Sequence, residues 1–597
     1  MRKAYTIKSI LALLLALAGL VWILASLQSY ETLKAIGGSL VVDGDFNSLK
    51  ESNVLVFKIL LGSTGILSML LAAGVFWGDL HKLFTGFRSF CSDASLFFSR
   101  LIPPRNEWKF IAGLGLVVLM AAVIRLKHLN NPMSHDESYT FIVFASTSIF
   151  NIISNYHLPN NHVFHTLLVG LSTSLMGIQP WVIRLPSFLA GLSLIPATYV
   201  LSRLIYDRYT GLASAVCVAI FYGPVAYATS ARGYSLVSLF TILMLCLGIY
   251  VYREKNRFAW MLLVLFATLG FYTVPVMLYP FGIVYAWLFL ENLGNKISPG
   301  DFAIPSEARQ YRSKMEFIKF WLAGGLCTAL LVLILYTPIF IYSGADKVFS
   351  NQWVSPTTWE SFLRSTPVHL RNTWSEWFFG EAPWVPILLV VGFLLSILFH
   401  RRIAKHRFPL QLAAIGWVTV LLLIQRTHTG PKIFAFLQPP FLIWACAGYM
   451  GLLKEKYLRF FPKISLPAVA VGVLLVVGLF RGAQAIGEIP YHWSNKGAIE
   501  HAVLYIQEHL GDDDLVIVDS PSDAPTWYYA RLFNLPGGLF DKDLPFSRLW
   551  VIVSPKGEKS LPSVLQERGP DLSLIKDDEA SLLWNTGDLD LYLVPHR

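Results

Sequence analysis

Charge is scarce in this chain. Only 14% of its 597 residues are Asp, Glu, Lys or Arg, against about 25% in a typical soluble protein. With 54% hydrophobic residues and a mean hydropathy of +0.53, that deficit excludes an ordinary soluble globular protein. Acidic residues are the scarcer kind, 38 against 48 Lys and Arg, for a net charge of +10. The basic excess falls between apolar runs, which is the mark of membrane topology and argues against nucleic acid as a partner. Cysteine is sparse too: Cys91, Cys217, Cys246, Cys327 and Cys446 show no metal or disulfide spacing. Four of them lie inside apolar runs and read as small core residues. There is no internal repeat and no low-complexity segment.

What the chain does have is a series of apolar runs of roughly 17 to 24 residues, each long enough to cross a bilayer as a helix. The first, at 9–27, follows Arg2, Lys3 and Lys8. It is longer than a signal-peptide core and lacks a clear cleavage site, so it reads as a span with the N-terminus inside. A second run at 54–77 returns the chain inward. The basic segment 79–109 stays inside, and a span at 110–126 leads outward. Inside loops continue with Arg203 and Arg208, then Arg253, Lys255 and Arg257, then 296–319, 400–407 and 454–463. This puts Asp136, Arg232, Tyr272, 344–383, 426–432 and everything after Arg481 outside. The fold expected is an α-helical polytopic membrane protein with about thirteen transmembrane helices. One count does not close: only two apolar segments, 163–178 and 182–204, lie between Asp136 and Arg203, where an odd number of crossings is needed. A first outer loop with helices along the membrane surface would resolve it.

The loop 344–383 carries Trp353, Trp359, Trp374 and Trp377, with Trp384 beyond. An interfacial aromatic belt explains these more simply than a sugar-stacking surface does. From 490 onward charge density rises, and helical stretches (497–510, 524–533, 561–568) alternate with short strands at 515–518 and 549–553. That pattern is a small α/β domain in the outer aqueous space, without a phosphate-binding glycine motif. Three domains are expected: 1–107, a hairpin with a cytoplasmic linker; 108–489, the transmembrane catalytic core; and 490–597, a soluble extracytoplasmic domain.

The chemistry belongs to the stretch 131–165. It holds the adjacent carboxylates Asp136 and Glu137 and the histidines His135, His157, His162 and His165. Polar groups at this density beside a membrane are costly unless they bind something or line a wet cavity. The topology brings them to the same face as Ser230-Ala231-Arg232-Gly233-Tyr234 and the turn Arg426-Thr427-His428-Thr429-Gly430-Pro431-Lys432. A carboxylate and cations on one cavity suit transfer from a phosphate leaving group: the carboxylate takes a proton from a hydroxyl, and the cations stabilise the departing phosphate. Taken singly, each has a plainer reading. The acidic pair is then a solvated turn, the Arg a snorkelling anchor, and each His a surface or capping residue. The His and carboxylate spacing matches no standard zinc motif.

In order, these motifs resemble a family. The D-E pair after an early span and the turn Asn160-Asn161-His162 opening a helix are similar to the polyprenyl-phosphate-dependent glycosyltransferases of the GT-C superfamily. The likeness extends to Arg184-Leu185-Pro186-Ser187 with its continuation to Ala215, to Ser230–Leu236, and to Pro431–Leu442. It covers roughly residues 108 to 455 and points to the protein O-mannosyltransferase and aminoarabinose transferase group. The resemblance implies that Asp136 is the catalytic carboxylate, with Arg232 and Lys432 near the lipid phosphate and the loop after Tyr156 flanking the cavity. Where the family often has H-P-P or K-P-P, this chain has Asn160-Asn161-His162 and no proline pair.

The function expected is transfer of a sugar from a polyprenyl-phosphate carrier to an acceptor hydroxyl outside the cytoplasmic membrane, with inversion. Asp136 acts as base and Glu137 assists by orientation or by binding the acceptor. His135, His157, Asn161, His162, Arg232, Tyr234, Arg426, His428 and Lys432 are the substrate-binding candidates. The partners are the lipid-phosphate sugar, membrane lipid and a glycan, lipid or protein acceptor. No cofactor is indicated, and a divalent metal is left open. The alternative is a secondary transporter of a small polar or anionic solute. Transporters place ionisable groups at the bilayer midplane, whereas no Asp or Glu falls inside the spans assigned from 110 onward.

Overall fold

The computed structural model describes residues 2–40, 51–77, 80–101, 107–294, 310–349, 355–427, 430–454, 465–488, 497–554, 559–587 and 589–597. Apolar segments become helices because hydrocarbon offers no partner for a backbone N–H outside the segment itself. Helices α1 (Arg2–Ser26) and α2 (Glu51–Trp77) pack as a pair. Then come α3 (Trp108–His128), the short α4 (His135–Thr140), α5 (Val163–Met176) and α6 (Pro180–Ile205). The bundle continues with α7 (Arg208–Ile220), α8 (Tyr222–Ala228), α9 (Tyr234–Arg253), α10 (Arg257–Thr273), α11 (Leu278–Leu293) and α12 (Lys314–Tyr342). It ends with α13 (Trp359–Trp377), α14 (Trp384–Leu398), α15 (Leu410–Gln425), α16 (Gln438–Lys454) and α17 (Leu466–Glu488). Six helices among the described residues are long and apolar enough to cross a membrane, a bent pair makes a seventh, and seven shorter apolar helices accompany them. The chain is a polytopic membrane protein.

Contacts at the helix ends sort the charges into two groups. Arg203 meets Glu107 at 2.8 Å, Lys405 donates to the Arg203 carbonyl at 2.9 Å, and Arg253 lies 3.0 Å from His406. All belong to one end of the bundle, as the Lys and Arg bias predicts. Asp136, Arg232 and Lys432 gather at the other end. The spans are not free of carboxylates: Glu316 lies in the first turn of α12, paired with Lys255, and Glu291 in the last turn of α11. Glu291 is the more buried of the two. It sits at the basic end and accepts the Phe408 N–H at 2.6 Å.

The unclosed count has a structural answer. At the start of α5, His162 Nδ1 accepts the Gly233 N–H at 2.8 Å, and just past its end the Ile178 carbonyl accepts the Tyr528 hydroxyl at 2.9 Å. Both partners belong to the Asp136 end, so α5 lies along that end and α6 alone runs from Arg184 to Arg203. Another irregularity places the site. The α7–α8 pair bends by 62°, and the carbonyls freed at the end of α7 are capped by the fully buried Arg125, which donates to Ala219 at 2.9 Å and Val218 at 3.1 Å. Orphan carbonyls of this kind need a donor when they are buried. The bend delivers the Ser230–Arg232 turn beside Asp136.

At the same end sits a four-stranded sheet: β1 (Asp514–Val518), β2 (Arg548–Val553), β3 (Ser581–Asn585) and β4 (Asp590–Pro595), in the order β1-β2-β4-β3. Strands β1 and β2 are parallel, and the other pairings are antiparallel. Its helices are α18 (Ala498–His509), α19 (Asp523–Leu532) and α20 (Leu561–Arg568). The sequence pattern anticipates β1, β2 and all three helices; the β3–β4 hairpin is additional. Helix α19 grips the Asp136 loop. The Tyr529 hydroxyl accepts the Met133 N–H at 3.0 Å, Tyr528 packs edge-on to Phe141, and the Arg531 guanidinium lies 5.6 Å over the Phe141 ring.

Candidate active site

The loop is built outward from Glu137. Ser134 caps α4, and Glu137 answers by accepting the Ser134 N–H at 3.1 Å and its hydroxyl at 2.9 Å, a capping box. The same carboxylate accepts Arg184 Nε at 2.8 Å, Arg184 Nη2 at 2.9 Å and the Ala231 N–H at 2.6 Å. The rest of the Arg184 fork donates to the carbonyls of Leu129, Asn131 and Pro132. Burial opposes ionisation of Glu137, but Arg184 and the hydrogen bonds outweigh it and hold the carboxyl below its ordinary range. Glu137 is 1% exposed and both its oxygens are engaged. It is the clamp that orients its neighbour, not part of the cavity wall.

Asp136 does line a cavity, of about 230 Å³, with Ser134, His135, Tyr227, Ser230, Arg232, Tyr234, Lys432 and Pro521. Lys432 Nζ lies 2.8 Å from Asp136 Oδ2, both side chains one-third exposed. Arg232 is fixed in the wall: Nη1 donates to Thr140 Oγ1 at 2.8 Å and to the Asn160 carbonyl at 2.9 Å, and Nη2 to Asn160 Oδ1 at 3.1 Å. Its buried Nε has no hydrogen-bond partner. Burial again works against an ionised Asp136, but Arg232 and Lys432 prevail and hold the carboxyl far below its ordinary range. His162 shapes this wall from behind. Its Nδ1 accepts from Gly233, its ring meets Tyr234 edge-on at 5.0 Å, and burial with nearby cations keeps it neutral. A Cβ at Gly233 would come within 2.4 Å of Thr273 Cγ2 and crowd His162, so glycine lets this turn pack this closely. From α5, His165 Nε2 lies 2.9 Å from Ser187 Oγ, which donates to the Arg232 carbonyl at 2.9 Å.

The other sequence candidates fall into distinct places. His135 is on the cavity wall, its Nδ1 2.9 Å from the Pro521 carbonyl and 3.4 Å from Asp523 Oδ1. His157 is exposed, bonded to Tyr139 and Asn155 away from the cavity. Asn161 is buried and spends its amide on the carbonyls of Ile152 and Asn155, so it shapes the loop. Arg426 lies 5.3 Å over the Trp359 ring and is absent from the cavity wall. His428 is outside the described residues, as is Trp353. Of the remaining tryptophans, Trp374 and Trp377 pack on Phe441, and Trp384 is 62% exposed. None lines the Asp136 cavity. Sequence reasoning misses Arg184, Asn160, Tyr227, Ser230 and Pro521. Arg184, Asn160 and Ser230 stand inside the quoted motifs, but nothing local marks Pro521. Among the described residues, no group of three or more His, Cys, Asp or Glu is placed to hold a metal ion.

An ionised carboxylate beside two fixed cations, at one end of a helical bundle, defines a site that can accept a proton while holding an anion. Comparison with known proteins gives one family match and several similar structures. Residues 162–298 match the family model described as dolichyl-phosphate-mannose-protein mannosyltransferase. ArnT from Cupriavidus metallidurans, bound to undecaprenyl phosphate, superposes with a TM-score of 0.50 at 12% identity, covering 82% of this chain and 98% of that one. The oligosaccharyltransferase of Archaeoglobus fulgidus in its apo form gives 0.44 at 10% identity, over 82% and 74% of the two chains. Arabinofuranosyltransferase AftD from Mycobacteria gives 0.41 at 14% identity, over 81% and 40%. No curated protein matches in sequence. The chain has the GT-C fold, as its ordered motifs lead one to expect.

Proposed function

We propose that this protein is a membrane glycosyltransferase that moves a sugar from a polyprenyl-phosphate carrier to an acceptor hydroxyl. The observation that carries the reading is Asp136, kept ionised between Lys432 and Arg232 on the wall of a cavity at one end of a GT-C bundle. The ArnT structure of the same fold holds undecaprenyl phosphate. Asp136 accepts the proton of the acceptor hydroxyl as its oxygen bonds to the sugar's anomeric carbon. The carbon–phosphate oxygen bond breaks, and the phosphate leaves with the electron pair. Attack opposite the leaving group inverts the anomeric centre. Arg232 and Lys432 stabilise the departing phosphate, where low dielectric strengthens each charge interaction. Glu137 and Arg184 keep Asp136 in place.

The basic end of the bundle is read as cytoplasmic, which puts the cavity and the sheet domain outside the cell membrane. Residues 108–489 form the catalytic core in this reading, 1–107 an accessory hairpin and linker, and 490–597 a domain that guides the acceptor. A larger apolar cavity of about 710 Å³, walled by residues of α7, α14, α16 and α17, reaches Tyr222 at the far end of α8 from Tyr227. Its lining suits a hydrocarbon chain. The test is transfer by purified protein from a panel of polyprenyl-phosphate sugars, with product and free polyprenyl phosphate read by mass spectrometry. The sugar and acceptor come from the same screen.

A further inference from the structure

Asp136 has a difficulty as the last resting place of a proton. A carboxylate between two cations binds a proton weakly, and an efficient base has a proton affinity matched to the working pH. The neighbouring residue meets that need. His135 lies on the same cavity wall, and its Nδ1 is 2.9 Å from the Pro521 carbonyl. A carbonyl can only accept, so Nδ1 carries the hydrogen and, in the neutral ring, the lone pair is on Nε2. Asp523 Oδ1, 3.4 Å from the same Nδ1, adds a carboxylate behind the imidazole. A carboxylate behind one ring nitrogen and a basic lone pair on the other is the arrangement that makes histidine a base.

We propose that the proton taken from the acceptor hydroxyl passes from Asp136 to His135 Nε2, and that Asp523, from the sheet domain, sets the basicity of His135. This rests on Asp136 as the primary proton acceptor. The transfer balances: the Asp136 O–H bond breaks, an Nε2–H bond forms, and Asp136 is again an anion while His135 becomes an imidazolium. His135 acts through Asp136 and is a positioning and relay residue. Asp523 and Tyr139 touch the His135 ring, and Asp136, Arg232 and Lys432 share its cavity wall; Arg568, 3.2 Å from Asp523 Oδ2, tempers the Asp523 charge. Burial disfavours the imidazolium, but Asp523, the Pro521 carbonyl and Asp136 outweigh it and raise the His135 pKa above its ordinary value. The sheet domain is then part of the catalytic centre.

The test is the pH–rate profile of the full-length protein. Transfer requires neutral His135, so the wild type gains activity as pH rises through the His135 pKa. Asp523→Asn removes the carboxylate that raises this pKa, and its acid limb should move to lower pH. His135→Gln should lose that limb and turn over about 10²-fold more slowly, with binding of polyprenyl phosphate unchanged. His135→Ala should regain activity with added imidazole. An acid limb unmoved in Asp523→Asn, or His135→Gln with the wild-type rate and profile, overturns the relay. Thermal unfolding screens each variant, and if the His135 variants unfold, the Asp523→Asn limb decides. Asp136→Asn separates the two ideas. Full activity there removes the parent reading, whereas an inactive Asp136→Asn beside unmoved His135 and Asp523 profiles removes the relay alone.

Discussion

At the scale of the residue, the two carboxylates of one D-E pair have opposite fates, set by what each touches. Asp136 keeps a third of its side chain open to a cavity, while Glu137 has none to spare. Asp136→Asn keeps size and shape but loses the carboxylate proposed as proton acceptor. It should fold, bind polyprenyl phosphate and turn over about 10² to 10⁴ fold more slowly; steady-state transfer and equilibrium binding measured together check this. Arg232 offers a second test. As a helix-end anchor it would be replaceable by any long cation, yet its guanidinium is locked by Thr140 and Asn160 and lies beside Asp136. Arg232→Ala should weaken binding of polyprenyl phosphate and cost about 10² to 10³ fold in turnover. Arg232→Lys should recover only part, because an ammonium cannot reproduce the planar fork. Equal performance of Lys and Arg would return Arg232 to an anchoring role.

At the scale of the element, the short helix α4 is held by a buried ion pair between Glu137 and Arg184, neither of which lines the cavity. Removing one partner of such a pair leaves an uncompensated charge, at about 3 to 5 kcal/mol. Arg184→Ala should therefore lower the unfolding temperature in detergent markedly, while Asp136→Asn leaves it close to wild type. Much of this element level was legible in the sequence. Lys and Arg clusters are local signals, and Arg203, Arg253 and Lys405 do meet at one end of the bundle. The helices and first two strands of the sheet domain showed in their periodicity. What stayed hidden was relational. Helix α5 has the composition of a span, and only its length, 14 residues or about 21 Å at 1.5 Å per residue, is short of a hydrocarbon core of about 30 Å. Arg184 reads locally as a span-end cation, and its clamp appears only once Glu137 is folded against it. Pro521 reaches the cavity across hundreds of residues, a contact no motif encodes. The β3–β4 hairpin has a largely exposed strand, SLLWN, whose apolar residues do not alternate.

At the scale of the whole molecule, orientation and chemistry are separable claims. Orientation is tested by a cysteine at Asp543, an exposed position in the sheet domain; Ser522 is buried against Ser554 and would not report. In a background without the five native cysteines, an impermeant maleimide should label Asp543→Cys in intact cells. Protection there, with labelling only after lysis, would invert the topology. The chemistry is tested most directly by one experiment: purified protein with a panel of polyprenyl-phosphate sugars, reading the release of free polyprenyl phosphate together with a glycosylated acceptor. The account predicts release from at least one donor by the wild type, and its loss in Asp136→Asn. Release that is equal in the two proteins, or no release from any donor while the protein carries a solute into sealed vesicles, would contradict it.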